Sequence, residues 1–286
     1  MKNHEHQITQ IIPTPQNTKT VNTEKETGHK KQKRKEVNSS SDNFISKIIN
    51  KELDATNIIT AGNFEGLSVG FWLCATTRGN ELLIDHPELA LKISKTSLNH
   101  LILEGKLKGF SAAFCLCATS RGNEILLDNK ELALKINSTS LNNVIKDGKF
   151  KGESAAFWLC KTPEGRETLH HYNTELALKI NKTSLNHVIE NGKFKGESAL
   201  VWLSSTTRGN ELLLDNEALV LKISQKTLNH IILQEGELNE TSAAFWLCGK
   251  EKGNEILRDN SELALKIDRN TLNHISEGDR YKGESA

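Results

Sequence analysis

A nine-residue segment recurs along this chain, and its spacing constrains the fold more than any other feature. GESAAFWLC begins at Gly152. Related segments begin at Gly66, Gly109, Gly196 and Glu240. The serine at their third position recurs every 43 or 44 residues, at Ser68, Ser111, Ser154, Ser198, Ser242 and Ser285. Residues 66–108 and 109–151 are identical at 27 of 43 aligned positions, which indicates tandem duplication, so equivalent units are expected to stack in series.

The repeat predicts the domain organisation. Five full units are expected at 66–108, 109–151, 152–195, 196–239 and 240–282. A half-unit at 43–65 is expected to cap the series, and residues 283–286 match the start of a sixth, truncated unit. Residues 1–42 contain no leucine and no aromatic residue, so they cannot build a core and are expected to form a disordered basic tail.

Each unit is predicted to contain short helices. Ser154 precedes the apolar run AAFWLC and can cap the first helix of its unit. The ELALK block at Glu131 predicts a third helix, and TSLN predicts a fourth that ends at the turn of Asp147 and Gly148. Whether the first two helices are separate or form one bent helix stays open. Because units of about 43 residues are typical of HEAT and armadillo arrays, the predicted fold is an all-α solenoid of short-helix repeats.

A glycine follows each marker serine by eleven residues and is expected to end a helix in the left-handed conformation. These glycines are Gly79, Gly122, Gly165, Gly209 and Gly253. The third and fourth units each contain one additional residue, near His171 and near Gln234. Both insertions are expected to fall in turns, because an extra residue inside a helix would rotate its apolar face away from the core.

Three residue types recur at fixed positions and are interpreted as a structural core ladder. Tryptophan and cysteine are expected to pack in the core, and an asparagine at a fixed place in each unit can hydrogen-bond the backbone of a neighbouring unit. The ladder comprises Trp72, Trp158, Trp202, Trp246, Cys74, Cys117, Cys160, Cys248, Asn99, Asn142, Asn186, Asn229 and Asn273. Cys115 stands in the tryptophan column of the second unit, and Ser204 in the cysteine column of the fourth.

No pattern in the sequence is typical of catalysis, and we expect no enzyme activity, no cofactor and no metal. The cysteines form no CxxC pair. A histidine follows the column asparagine in four units, at His100, His187, His230 and His274. Stacked helices lie about 8–10 Å apart, whereas zinc ligands lie about 2 Å from the metal, so one histidine per unit cannot form a shared site.

Two sets of basic residues are candidate binding features. Arg78, Arg121, Arg208 and Lys252 occupy one column and form a candidate basic stripe for a partner. A second column, which could add to a basic surface, comprises Lys92, Lys135, Lys179, Lys222 and Lys266. In the tail, the cluster of Lys30, Lys31, Lys33, Arg34 and Lys35 matches the pattern of a nuclear localisation signal.

The balance of charge disfavours nucleic acid as a partner of the repeats. The whole chain carries a formal charge of +1, and its first 42 residues carry eight Lys or Arg and five Asp or Glu. The remainder therefore carries a charge of −2, which is not the basic footprint of a nucleic-acid binder. The start of the chain has no apolar segment typical of a signal peptide, and no apolar run is long enough to span a membrane.

The motif GxSAxFWLCxTxxGxExL that opens the units resembles a longer, ankyrin-like helix pair. In length and composition, the units resemble the tandem helical repeats of effector proteins that intracellular bacteria inject into host cells. The resemblance covers residues 43–286 and implies a host protein partner, with translocation that uses no cleaved signal. It carries no activity of its own.

The expected function is that of a non-catalytic scaffold that binds a protein partner, in the manner of a bacterial effector in a host cell. One alternative is a helical-repeat protein that binds nucleic acid through one or two side chains per unit. Another is the repeat portion of a longer enzyme, because the sequence stops within a repeat. The expected location is the cytoplasm where the chain is made, with the cytoplasm or nucleus of a host cell as the destination of an effector.

Overall fold

The computed structural model describes residues 42–50, 52–171, 174–234 and 237–274, together with 283 and 285. Over these residues it contains 21 helices and no strand. The predicted all-α class is therefore confirmed. The predicted tail up to residue 41, with its basic cluster, lies outside the described residues, as does most of the predicted sixth unit.

The helices follow one pattern, in which every unit contributes four. The first helix of the chain, α1 (Asp42–Ile49), precedes the units. The first two units contain α2 (Val69–Ala75), α3 (Thr77–Asp85), α4 (Pro87–Lys92), α5 (Lys95–Asn99), α6 (Ala112–Cys117), α7 (Ser120–Asp128), α8 (Lys130–Lys135) and α9 (Ser138–Asn142). The other three contain α10 (Ala155–Lys161), α11 (Pro163–His171), α12 (Thr174–Leu178), α13 (Lys182–Asn186), α14 (Ala199–Ser204), α15 (Thr207–Leu214), α16 (Glu217–Val220), α17 (Gln225–Leu228), α18 (Ala243–Cys248), α19 (Glu251–Asp259), α20 (Ser261–Ala264) and α21 (Arg269–Leu272).

Side-chain caps set the helix boundaries. The predicted cap at Ser154 is confirmed, because its Oγ accepts a hydrogen bond of 3.1 Å from the backbone N–H of Phe157. The equivalent serines of the other four units cap their first helices in the same way. Thr206 then caps α15 by accepting from Gly209 N–H at 3.1 Å. Since such a cap requires extended backbone, the first and second helices are separate rather than one bent helix.

The glycine that follows the marker serine has a different role from the one predicted. Gly209 and its four equivalents lie in the first turn of the second helix, and none of them has a positive φ. A Cβ atom at Gly209 would lie 2.1 Å from the carbonyl oxygen of Leu203 in the first helix. Glycine is needed at this position because the first and second helices approach each other closely. The prediction that it ends a helix in the left-handed conformation is therefore wrong.

Left-handed glycines occur instead in hairpin loops, such as those that follow the fourth helices of the first three units. The predicted end of the fourth helix at Gly148 is wrong, because α9 ends at Asn142 and the chain then turns back on itself. Ile145 N–H donates to the Glu153 carbonyl at 2.9 Å, and Gly152 N–H donates to the Ile145 carbonyl at 2.8 Å. The same backbone pairing closes five hairpin loops, at 59–67, 102–110, 145–153, 189–197 and 232–241.

The two insertions fall at different kinds of position. The one near Gln234 lengthens the fourth unit's hairpin loop, as predicted. His171, near the other insertion, is the last residue of α11, so it and His170 lie in the final turn of a helix rather than in the predicted surface turn. An extra residue after the last turn leaves the apolar face of that helix unchanged.

Equivalent helices contact each other from unit to unit. The first helices contact in the order α2, α6, α10, α14, α18, and the second helices in the order α3, α7, α11, α15, α19. Each fourth helix of the first four units contacts the first helix of the following unit. One apolar cluster runs from Phe44 in α1 to Leu263 in α20, so the core is continuous along the described chain.

The segment before the first unit packs on α2. The ring of Phe44 meets that of Trp72 edge to face, with centroids 5.0 Å apart. The backbone N–H groups of Val69 and Gly70 donate to the carbonyls of Asn57 and Ala55, each at 2.8 Å. These contacts cover the side of the first unit that has no preceding unit.

We predict that Gly209→Ala lowers the free energy of unfolding by about 1–3 kcal/mol, because the added methyl group overlaps the backbone of the preceding helix. Urea titration followed by tryptophan fluorescence measures the change. Gly249→Ala is the matched control, because the first two units have Ala75 and Ala118 at that position and only one atom would lie close, at 3.2 Å. Equal stability of the two variants would contradict the proposed close approach.

Candidate interaction surface

The column tryptophans are buried in the core. Trp158 and Trp202 donate from Nε1 to glutamate carboxyl groups that precede their helices, those of Glu153 at 2.9 Å and Glu197 at 2.7 Å. Trp246 donates to the hydroxyl of Thr241 at 3.0 Å. Because the rings are covered and these three N–H groups are satisfied, the column offers no platform on which a ligand could stack.

The tryptophan column is interrupted in the second unit, where a phenylalanine fills the space. Cys115 replaces the indole, and Phe110 occupies the position that is Glu153 in the third unit. The ring of Phe110 lies 5.0 Å from that of Phe114 and 5.6 Å from that of Phe150, in edge-to-face contacts. The smaller side chain in the helix is thus offset by a larger one in the loop.

Four of the five cysteines are buried and Cys248 is half-buried, which disfavours their thiolate forms. Burial raises the pKa of Cys115 and that of Cys160 to about 12, and it raises the pKa of Cys74, Cys117 and Cys248 as well. A protonated thiol is neither a nucleophile nor a metal ligand. The described residues contain no group of three or more His, Cys, Asp or Glu that could hold a metal ion.

The column asparagines join the fourth helix of one unit to the next unit. Asn186 donates from Nδ2 to the Lys222 carbonyl at 2.8 Å, and its Oδ1 accepts from Ser224 N–H at 2.8 Å. The same two bonds are made by Asn99, Asn142 and Asn229 to the unit that follows each of them. We call these four residues the asparagine ladder, and Asn273, the last in the column, lies at the end of α21.

The lysine column does not form the basic surface that the sequence suggested. Lys179 Nζ donates at 2.8 Å to the carbonyls of Leu134 and Ile136, at the C-terminal end of α8 in the preceding unit. Lys135 and Lys222 contact two carbonyls of their preceding units in the same way, and Lys266 contacts one. These four lysines, the lysine ladder, place a cation where the helix dipole favours it.

The candidate basic stripe is neutralised by acids. Arg208 contacts Glu167 of the preceding unit at 2.8 Å and Glu211 of its own unit at 3.0 Å. Lys252 contacts Glu211 at 2.8 Å. Arg78 and Arg121 both contact Glu81, at 2.9 and 3.3 Å. The stripe is therefore a row of alternating charges at the surface, which weakens it as a site for an anionic partner.

One further column of polar side chains was not predicted from the sequence. In the first four units the residue after the close-approach glycine is buried in the second helix, and its side chain donates to the last carbonyls of the first helix. Asn123 Nδ2 donates to the Cys117 carbonyl at 2.8 Å, and Arg166 replaces the amide in the third unit by donating to the Cys160 carbonyl at 2.8 Å. The constant Gly-Asn pair of four units was the available signal.

The column histidines are dispersed and lie at the hairpin loops. His187 Nε2 would lie 3.7 Å from a Cβ at Gly152, and His230 Nε2 would lie 3.8 Å from a Cβ at Gly196. Burial lowers the pKa of both histidines. His187 and His230 thus each lie against the hairpin loop of the preceding unit, where burial disfavours the charged form of the ring.

One charged cluster is buried between the third and fourth units. Lys161 Nζ lies 3.4 Å from Glu197 Oε2 and 3.5 Å from the ring centroid of Trp202. Burial lowers the pKa of Lys161 to about 8, although Glu197 acts in the opposite direction. Burial also raises the pKa of neighbouring Glu153 to about 8, although its hydrogen bond from Trp158 opposes the shift.

One face of the third helices remains apolar and uncovered. Ten large apolar residues are exposed in the described chain, and four of them occupy a single column. Leu91, Leu178, Leu221 and Leu265 are 48%, 40%, 61% and 84% exposed, and Leu134 of the second unit is half-buried. The third helices contact in the order α4, α8, α12, α16, so these leucines follow one another along the surface.

Acidic residues surround this leucine column. Nine exposed carboxylates lie at the end of the second helix or the start of the third, at Asp85, Glu88, Asp128, Glu131, Glu175, Asp215, Glu217, Asp259 and Glu262. Within the described chain, ion pairs engage only Glu88, Asp215 and Asp259 of this set. We call the five leucines and nine acids together the acidic leucine face.

We predict that Glu153 makes the protein less stable as the pH rises from about 4.5 to about 8. The folded protein holds a proton on Glu153 in that range while the unfolded chain releases it. Glu153→Gln stays neutral and should be more stable than the wild type at pH 8 by about 1 kcal/mol or more, and similar to it near pH 4. Urea titrations across this range test the difference, with exposed Glu131→Gln as control. Parallel pH profiles of wild type and Glu153→Gln would contradict it.

Comparisons with known proteins give no match: the chain is similar to no protein-family model, no curated protein and no solved structure. None of the helices in the described part of the chain has the length and apolar character needed to cross a membrane. The surface chemistry is therefore the basis on which a function can be argued.

Proposed function

We propose that the five units form an α-solenoid and that this solenoid is a non-catalytic scaffold for a protein partner. The unit-to-unit contacts of equivalent helices support a one-dimensional stack. The asparagine and lysine ladders support it as well, because each ladder repeats equivalent side-chain to backbone hydrogen bonds from one unit to the next. In such a stack stability is divided between units and their interfaces, so the surface can vary without loss of the fold.

A deletion tests the solenoid directly. Removal of residues 109–151 joins Lys108 to Gly152 at equivalent points of two units. We predict that the shortened protein stays helical and unfolds cooperatively, because the first unit then meets the third through the same ladder residues. Circular dichroism during urea titration measures both properties. Loss of the cooperative transition would contradict the solenoid.

The acidic leucine face is the observation that carries the binding proposal. Exposed apolar residues that follow one another along a surface mark interaction sites in proteins. The six unpaired carboxylates around the leucines select against acidic partners and favour a basic one. The partner that fits this chemistry is an amphipathic helix with an apolar face and lysine or arginine at its margins.

The same observation favours a protein over a nucleic acid. Phosphates would be repelled by the acids of the acidic leucine face, and the leucines offer no hydrogen bonds to base edges. The candidate basic stripe, which would have supported a nucleic-acid role, is occupied by Glu81, Glu167 and Glu211. The resemblance of the units to effector repeats supports a partner inside a host cell.

We predict that the double substitution Leu178→Ser and Leu221→Ser weakens binding of a labelled amphipathic peptide of leucine and lysine by about tenfold, because both leucines would lie under the peptide. Fluorescence anisotropy measures the affinity. The control carries Leu103→Ser and Leu233→Ser, which remove two leucines of higher exposure on the hairpin loops. Equal affinity of both double variants, or no binding by the wild type, would contradict the proposed face.

A further inference from the structure

Lysines are concentrated on the hairpin loops of the first three units. Each of these loops has the pattern Gly-Lys-x-Lys, in which the apolar residue between the lysines is directed inward. Phe150 and Phe194 are buried in this position, and Leu107 is half-buried. The lysines on either side are exposed, at Lys106, Lys108, Lys149, Lys151, Lys193 and Lys195. We call these six residues the hairpin lysines.

Five of the six hairpin lysines differ from the other repeated cations in the contacts of their side chains. The lysine ladder contacts backbone carbonyls, and the basic stripe contacts glutamates. In the described chain, by contrast, no ion pair or hydrogen bond involves the side chains of Lys106, Lys108, Lys149, Lys151 or Lys195. Lys193 lies 5.5 Å from the ring centroid of Phe194. These five lysines therefore carry positive charge that no acid in the described part of the chain pairs with.

The row of lysines has sharp ends. In the loop at 59–67 the equivalent positions are Asn63 and Glu65, and in the loop at 232–241 they are Glu237 and Asn239. Among the described loops, paired lysines thus occur in three consecutive units, and the sequence has Arg280 and Lys282 at the equivalent positions of the fifth unit. Packed helices of neighbouring units lie about 8–10 Å apart, so three units place the hairpin lysines over roughly 20 Å. An extended segment of about six residues has this length.

An open groove lies at one end of this row, between the third and fourth hairpin loops. Its volume is about 850 Å³, and Val188, Ile231 and Leu233 contribute apolar walls. Lys195 and Glu190 also line the groove. The fourth loop is one residue longer than the third, and Leu233 on it is 82% exposed. The row of cations therefore ends beside a recess that could receive an apolar side chain.

We propose that the hairpin lysines and this groove form a second binding surface, which takes an acidic protein segment with one apolar anchor residue. The carboxylates of the segment lie along the lysines, and the anchor enters the groove beside Leu233. This surface is distinct from the acidic leucine face in both position and charge. The proposal therefore does not depend on the function proposed above.

The loops favour an acidic peptide over a nucleic acid. Single-stranded nucleic acids bind where bases can stack on exposed aromatic rings, and the rings of Phe150 and Phe194 are buried. Exposed acids lie on the same three loops, at Glu104, Asp147 and Glu190. A continuous phosphate backbone would meet these acids, whereas a peptide can place neutral residues opposite them.

Fluorescence anisotropy with the full chain tests the proposal. The probe is a labelled peptide of aspartate and glutamate with one leucine at one end, and the comparison probes are the same peptide with serine in place of leucine and a labelled oligothymidylate. We expect saturable binding of the leucine peptide that weakens with added salt. Lys193→Glu with Lys195→Glu should reduce its affinity by about tenfold or more. Leu233→Ser should reduce the affinity for the leucine peptide to that for the serine peptide.

Two variants serve as controls. Lys95→Glu with Lys182→Glu makes the same change of charge at exposed lysines of α5 and α13. Leu221→Ser removes an exposed leucine from the acidic leucine face. Both should bind the acidic peptide as the wild type does, and circular dichroism should show all variants folded. The proposal is overturned if the wild type fails to bind the peptide at millimolar concentration or if oligothymidylate binds more tightly than the peptide. It is also overturned if Lys95→Glu with Lys182→Glu weakens binding as much as Lys193→Glu with Lys195→Glu.

Discussion

Helix ends, rather than helix interiors, determine the stability of this protein. Its helices in the units are four to nine residues long, so nearly all of their backbone groups lie within the first or last turn. The first four N–H groups and the last four carbonyls of a helix have no partner within it, and isolated helices of this length are not stable in water. Each unit therefore needs polar side chains at fixed positions to complete its helices.

The repeated polar columns meet this need, and several of them do so across unit boundaries. The marker serine caps a helix within its own unit, whereas Asn186 and Lys179 reach backbone groups of neighbouring units. A unit that lacks its neighbour would thus lose hydrogen bonds to its own helix ends as well as apolar contacts. Such coupling explains in physical terms why the columns are polar at positions where the core could have accepted an apolar residue.

The sequence predicted features that arise within one unit, and it failed for features that depend on distance between elements. Ser154 as a cap follows from residue type and spacing alone. Gly209 looked like a helix end because glycine is common there, but its role follows from an approach to Leu203 that spacing does not reveal. The hydrogen-bond partners of Lys179 could not be predicted either, because they depend on how far each unit is offset from the preceding one.

The lysine ladder also links stability to the proposed function. Glu131 and Lys135 are four residues apart on α8, a spacing at which an acid and a base normally pair on a helix surface. The ladder instead directs Lys135 to carbonyls of the preceding unit, so Glu131 stays exposed without an ion pair. The same arrangement recurs in the third unit, where Lys179 donates to the Ile136 carbonyl and forms no ion pair with Glu175. Because Lys135 and Lys179 contact backbone carbonyls between units, the glutamates four residues before them stay unpaired beside the exposed leucines. The unpaired charge of Glu131 and Glu175 on the acidic leucine face is thus a consequence of the bonds that hold neighbouring units in register.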